Sequence, residues 1–145
     1  MNLEDKFLFF DGAMGTMLQK GLLEAGELPE LLNDTKPEKI INIHKKYIES
    51  GADVVTANTF GANRKKLQGS GYTVDEIIKA GISCAKKSGT KYVALDIGPI
   101  GALLKPLGTM SFEEAYDIFA EEVKAGQDAD LIIIETMSDL LEAKA

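Results

Sequence analysis

The sequence predicts an α/β fold built on a parallel sheet. Short apolar runs of strand length alternate with amphipathic helical patterns, and a glycine follows each helical segment. The runs are FLFF (7–10), VVTA (54–57), YVAL (92–95) and LIII (131–134). Continuous apolar runs suit strands covered on both faces, as in parallel sheets.

The segments between them read as helices. In 38–50, Ile40, Ile41, Ile43, Tyr47 and Ile48 mark one face, and in 74–85 Val74, Ile77, Ile78 and Ala85 do the same. In 112–123, Phe112, Ala115, Tyr116, Phe119, Ala120 and Val123 follow helical spacing. A capping-box pair opens each segment: Thr35 with Glu38, Thr73 with Glu76, Ser111 with Glu114. Gly51, Gly89 and Gly126 stand where the helices should end. SDLLEAKA then reads as the start of a fourth helix. The stretches ESGADVVTAN, KSGTKYVALD and AGQDADLIIIE share one plan, a weak internal repeat. The predicted order is β-α-β-α-β-α-β-α.

Composition limits the function classes. The 145 residues suffice for one compact domain, and 45 % are hydrophobic. A net charge of −7 without blocks of like charge argues against nucleic acid and anionic membrane surfaces as partners. One cysteine precludes a disulfide within the chain. No apolar run nears the roughly 20 residues that span a bilayer, and MNLEDKF lacks signal-peptide character. A cytoplasmic protein is expected.

Polar residues end every predicted strand: Asp11, then Asn58 and Thr59, then Asp96, then Glu135. In parallel α/β folds, ligands bind at this carboxyl edge. Asp11 and Glu135 in one cavity would suit a primary ammonium group; a metal or an acid/base pair are the alternatives. No His or Cys adjoins either acid, which disfavours zinc. Gly12 and Gly15 allow close backbone approach, with N–H groups suited to a carboxylate. Ammonium beside carboxylate describes an α-amino acid. DGAMGT lacks the spacing of a phosphate-binding loop, and the chain has no nucleophile elbow. His44 reads as a packed or partly exposed helix residue and Cys84 as a buried structural thiol.

The segments FFDGAMGTML, ESGADVVTANTFGANRKKL, DIGPIGALLKPLG and ADLIIIETMSDLLEAKA resemble, in order, the homocysteine-binding methyltransferase domain at the N-terminus of cobalamin-dependent methionine synthases. The resemblance implies a (β/α)8 barrel of TIM type binding homocysteine at its C-terminal face. A zinc-bound thiolate would take a methyl group from methylcobalamin, recharged by 5-methyltetrahydrofolate. Residues 1–145 would form the N-terminal half of that domain, a four-stranded half barrel of roughly the first four β/α units. The resemblance assigns Asp11 and Glu135 to the substrate ammonium, Gly12 and its neighbours to the carboxylate, and Asn58 and Thr59 to the pocket lining. The family's zinc-ligand motifs, of G-x-N-C and G-G-C-C-G-T type, are absent from this sequence. Zinc and cobalamin would therefore serve the longer parent; this chain is expected to bind neither, to contribute no catalytic or metal-ligating residue, and to be inactive alone. Its partner would be the remaining half of the barrel or a second copy of the chain, as a homodimer. An inactive half-barrel binding or assembly module is the alternative function, and a small flavodoxin-type domain with a Mg²⁺ site is a weaker one.

Overall fold

In the computed structural model, residues 7–19, 23 and 26–145 are described. In chain order they form α1 (Met14–Leu18), a 3-10 turn (Pro29–Leu31), α2 (Leu32–Thr35), α3 (Pro37–Glu49), β1 (Val54–Thr56), α4 (Val74–Lys87), β2 (Tyr92–Ile97), α5 (Phe112–Ala125), β3 (Leu131–Ile134) and α6 (Leu140–Lys144). The sheet is parallel with order β1-β2-β3; Val55 pairs with Val93 and Asp96 with Ile133. Parallel pairing puts all three strand ends, Thr56, Ile97 and Ile134, on one edge.

The expected four-stranded sheet is corrected to three strands among the described residues. The FLFF run contributes one bridge, Phe10 with Val54. Around this bridge Phe9 O accepts from the Asp53 and Val54 N–H groups, and the Asp11 N–H donates to Val54 O. Side chains take the flanking donors: the Asp53 carboxylate takes the Phe9 N–H at 3.1 Å and the Asp11 carboxylate takes the Thr56 N–H at 3.0 Å. Phe7 and Phe9 remain largely exposed.

The main core lies between the sheet and α4 and α5, around Val55, Ile77, Ile78, Leu95, Ile100 and Phe119. A second cluster joins Leu18, Leu32, Ile40, Ile41, Ile43 and Cys84, and packs α1, α2 and α3 against α4. The predicted face of α5 is rotated. Tyr116 and Val123 are exposed, whereas Ile118 and Glu122 are buried with Ala115, Phe119 and Ala125. β3 alternates, with Ile132 and Ile134 half exposed.

The helix signals held at α4 and α5. Thr73 accepts from the Glu76 N–H while Glu76 accepts from the Thr73 N–H at 2.9 Å, and Ser111 and Glu114 repeat this geometry. Gly51 and Gly89 follow α3 and α4 with φ of +102° and +86°, a region that an L side chain resists. The expected box at Thr35 does not form. Thr35 closes α2, its hydroxyl donates back to Leu31 O, and α3 starts at Pro37, whose ring presets the first helical φ. Thermal melts should reflect this contrast. Thr73→Ala and Ser111→Ala should each cost about 1 kcal/mol, and Thr35→Ala less than about half of that. Equal losses at all three positions would contradict the assignment of the α3 start. No helix among the described residues is long and apolar enough to cross a membrane.

Candidate functional site

A cavity of about 470 Å³ opens at the carboxyl edge of the sheet. Its walls come from the 10–15 segment, the turn at Pro29 and Glu30, the end of β1 with Asn58 and Phe60, Asp96 of β2, and Glu135 with Thr136 after β3. Asp11, Glu30, Asp96 and Glu135 all line it, and no lysine or arginine does among the described residues.

Asp11 is fixed by the strand it follows. Its backbone N–H donates to Val54 O at 3.0 Å. Its Oδ2 accepts from the Thr56 N–H at 3.0 Å, and its Oδ1 accepts from the Thr56 hydroxyl at 2.7 Å. Burial pushes its carboxyl above the usual range; the Thr56 bonds pull it down and the Glu135 charge pushes it up. Gly12 leaves room for a tyrosine. A Cβ there would lie 3.0 Å from the Tyr47 ring, whose hydroxyl donates to Ala13 O at 3.0 Å. Tyr47 from α3 thus braces the loop that carries Asp11.

Asn58 lines the cavity, but its side-chain amide is committed to the scaffold. Its Nδ2 donates to Pro29 O and to Asn33 Oδ1, and its backbone carbonyl accepts from Asn33 Nδ2 at 2.7 Å. Thr59 is not among the lining residues. It is fully buried, and its hydroxyl donates to Asp96 O at 2.9 Å and accepts from the Asp96 N–H at 3.1 Å, clasping β2 behind the site. Glu135 is exposed at the rim, with its N–H on Ile97 O. Thr136, the next residue, has φ of +59°, an uncommon conformation for a β-branched side chain.

Two acids at this site were absent from the sequence-based assignment. Glu30 is buried, and its Oε1 accepts from the Gly61 N–H at 2.7 Å. Nothing in the local sequence marks it, because a 31-residue separation joins it to Gly61. Asp96 was visible as a strand-end acid without an assigned role. It is 7 % exposed, its Oδ1 has no hydrogen-bond partner, and burial followed by the charges of Glu135, Asp11 and Glu30 pushes its carboxyl up to about 8. It is therefore protonated at neutral pH.

His44 and Cys84 are both buried, in keeping with their structural readings. Cys84 donates weakly to Asn33 O at 3.5 Å, and burial raises its thiol pKa. His44 lies nearer the site than its helical context suggests, with Nδ1 4.0 Å from Asp11 Oδ2. Among the described residues, no three His, Cys, Asp or Glu side chains converge to hold a metal ion. The described residues do not fit a zinc centre.

Residues 8–145 match the family description "Homocysteine S-methyltransferase". The chain belongs to that family. It is similar to methionine synthases of Mycobacterium leprae (32 % identity over 163 residues) and Mycobacterium tuberculosis (33 % over 163 residues). Each alignment covers 99 % of this chain but 13 % of the relative. Solved structures of the homocysteine methyltransferase MmuM from Escherichia coli share the fold. The oxidized form gives a TM-score of 0.83 at 23 % identity, covering 97 % of this chain and 57 % of that one. The metallated form gives 0.81 at 23 % identity, covering 96 % and 57 %.

Proposed function

We propose that this chain supplies the amino-acid-clamping part of a homocysteine S-methyltransferase acting in methionine synthesis. One observation carries the reading. Asp11 and Glu135, from opposite ends of the family-matched segment, line one cavity whose described walls hold acids and no base. The substrate ammonium would sit between these carboxylates, with charge-assisted hydrogen bonds that neutralise their mutual repulsion. The substrate carboxylate would lie toward the backbone of Gly12 and its neighbours. Asn58 would shape the wall, and Thr59 would act through its clasp on Asp96.

In this reading residues 1–145 are the N-terminal half of a (β/α)8 barrel domain, with the 7–10 run in the position of its first strand. The rest of the barrel would cover the half-exposed Ile132 and Ile134 and the exposed Phe7 and Phe9. A second copy of the chain could cover the same surfaces, which keeps an assembly module as the alternative. Methyl supply from 5-methyltetrahydrofolate through cobalamin, and activation of the thiol by zinc, belong to the longer protein; the residues here bind and orient.

Isothermal titration of the chain with L-homocysteine tests the clamp. Asp11→Ala and Glu135→Ala are each expected to weaken binding by about tenfold, the scale of one lost charge-assisted bond. The des-amino analogue 4-mercaptobutyrate should bind comparably weakly to all variants. Unchanged homocysteine affinity in the double variant would sink the proposal.

A further inference from the structure

His44 lies on α3, one helical turn from Ile40 and from Ile48, and its side chain is fully buried. Neither ring nitrogen has a hydrogen-bond partner. A buried imidazole must place one N–H somewhere, and an unpartnered buried donor costs about 1–3 kcal/mol. The Asp11 carboxylate lies close, with Oδ2 4.0 Å from Nδ1.

The two neutral tautomers are not equivalent here. With the proton on Nε2, the ring would bury a donor without an acceptor and leave the Nδ1 lone pair 4.0 Å from a carboxylate oxygen. With the proton on Nδ1, the donor is 4.0 Å from an oxygen that has accepted one bond, from the Thr56 N–H, and can take another. Burial lowers the imidazole pKa to about 4, so the ring is neutral at pH 7 and the contact is not an ion pair.

We propose that His44 is a positioning residue for Asp11: it donates its Nδ1–H to Oδ2, the bond tightening when a ligand closes the site. This rests on the reading of Asp11 as an ammonium clamp. Hydrogen bonds at binding sites are often long before ligand closes them, and a shortening of about 1 Å brings this pair into range. The effect is specific. A donor to Oδ2 favours the ionised carboxylate, opposing burial and the Glu135 charge, and only the ionised form pairs with ammonium. Tyr47, one turn further along α3, braces the adjacent carbonyl of Ala13. One helix face would thus set both the Asp11 side chain and its loop.

The chain has a single histidine, so ¹⁵N-histidine labelling yields one imidazole signal set. The expected result at pH 7 is the Nδ1–H tautomer, with the Nδ1 signal moving in Asp11→Asn. An Nε2–H tautomer, or ring signals unmoved by Asp11→Asn, would overturn the proposal without needing any ligand. Calorimetry with L-homocysteine gives the second readout. His44→Leu should weaken binding about tenfold, whereas His44→Asn, which returns an N–H near the Nδ1 position, should recover affinity to within about threefold of wild type. Equal losses in both variants mean that packing alone matters, and the positioning role fails. If the wild-type chain binds no L-homocysteine, the substrate reading fails, and the tautomer measurement alone upholds or overturns the His44–Asp11 bond.

Discussion

Raising the pH from about 6.5 to about 9 should destabilise this protein by about 2–3 kcal/mol, lowering its melting temperature by roughly 5–10 °C. Two buried acids are responsible. Asp96 and Glu122 are both pushed up to about 8, in each case chiefly by burial. Glu122 is fully buried on α5, and neither of its carboxylate oxygens has a partner. Unfolded, both groups ionise near their ordinary values of 3.8 and 4.5. Between those values and about 8 the folded chain therefore binds more protons than the unfolded chain. A raised folded pKa contributes stability that is fully present below the unfolded pKa and lost as pH rises through the folded one.

His44 acts in the opposite sense. Its pKa falls from 6.5 to about 4, so it removes stability as pH falls below 6.5 and is silent above it. Between about pH 4.5 and 6.5 the two acids outweigh it, so these three groups together make stability fall as pH rises, most steeply between about pH 6.5 and 8 where His44 no longer opposes them. Each displaced acid is nominally worth about 1.4 kcal/mol per pH unit traversed, reduced by local relaxation and water entry. Calorimetric scans of wild type, Asp96→Asn, Glu122→Gln and the double variant decide the matter. Each substitution should remove about half of the alkaline loss. A wild-type melting temperature that stays flat from about pH 6.5 to about 9 would show that neither acid holds its proton in the fold.

Gly98→Ala should be the more damaging single change at neutral pH, at about 3 kcal/mol. Gly98 directly follows β2, and its N–H donates to Phe60 O at 3.2 Å. A Cβ at this position would lie 2.5 Å from the Phe60 ring and 2.7 Å from the Phe60 carbonyl oxygen. The ring could turn aside, but the carbonyl belongs to the backbone leaving β1. Relief of the clash must break the hydrogen bond that joins the two strand ends. Overpacking costs about 1–3 kcal/mol and the lost bond about 1 more. Phe60 also lines the cavity, so ligand affinity should fall together with stability. Gly15→Ala is the control. Nothing lies within 4 Å of a Cβ there and the residue is helical, so stability should hold or rise slightly. A Gly98→Ala protein melting within about 2 °C of wild type would contradict the packing described for this corner.

The three strands and the long helices were legible because each depends on local pattern. Apolar runs at β1, β2 and β3, helical spacing in α3 and α4, and the caps at Thr73 and Ser111 all lie within a few residues of what they specify. Local pattern misled where a distant group intervened. FLFF has strand composition, but the Asp53 carboxylate, 44 residues away, takes the Phe9 N–H. Thr35 and Glu38 have capping-box spacing, but Thr35 is already the end of α2. Helical spacing in 112–123 counted Tyr116 and Val123 as inward, yet packing against α4 and the sheet buried Glu122 instead.

The same division holds at the cavity. Sequence by itself determined the parallel α/β class, the family resemblance and the strand-end acids Asp11 and Glu135, since strand ends follow from where apolar runs stop. Tertiary structure decided what those acids meet. It brought Glu30 in on a turn, forced a proton onto Asp96 by crowding acids into a space of low polarity, withdrew Thr59 behind the wall, and set His44 beside Asp11. The reason is physical: a carboxylate's charge and the fate of its lone pairs depend on burial and on neighbours within a few ångströms. Those neighbours come from segments whose proximity only folding creates.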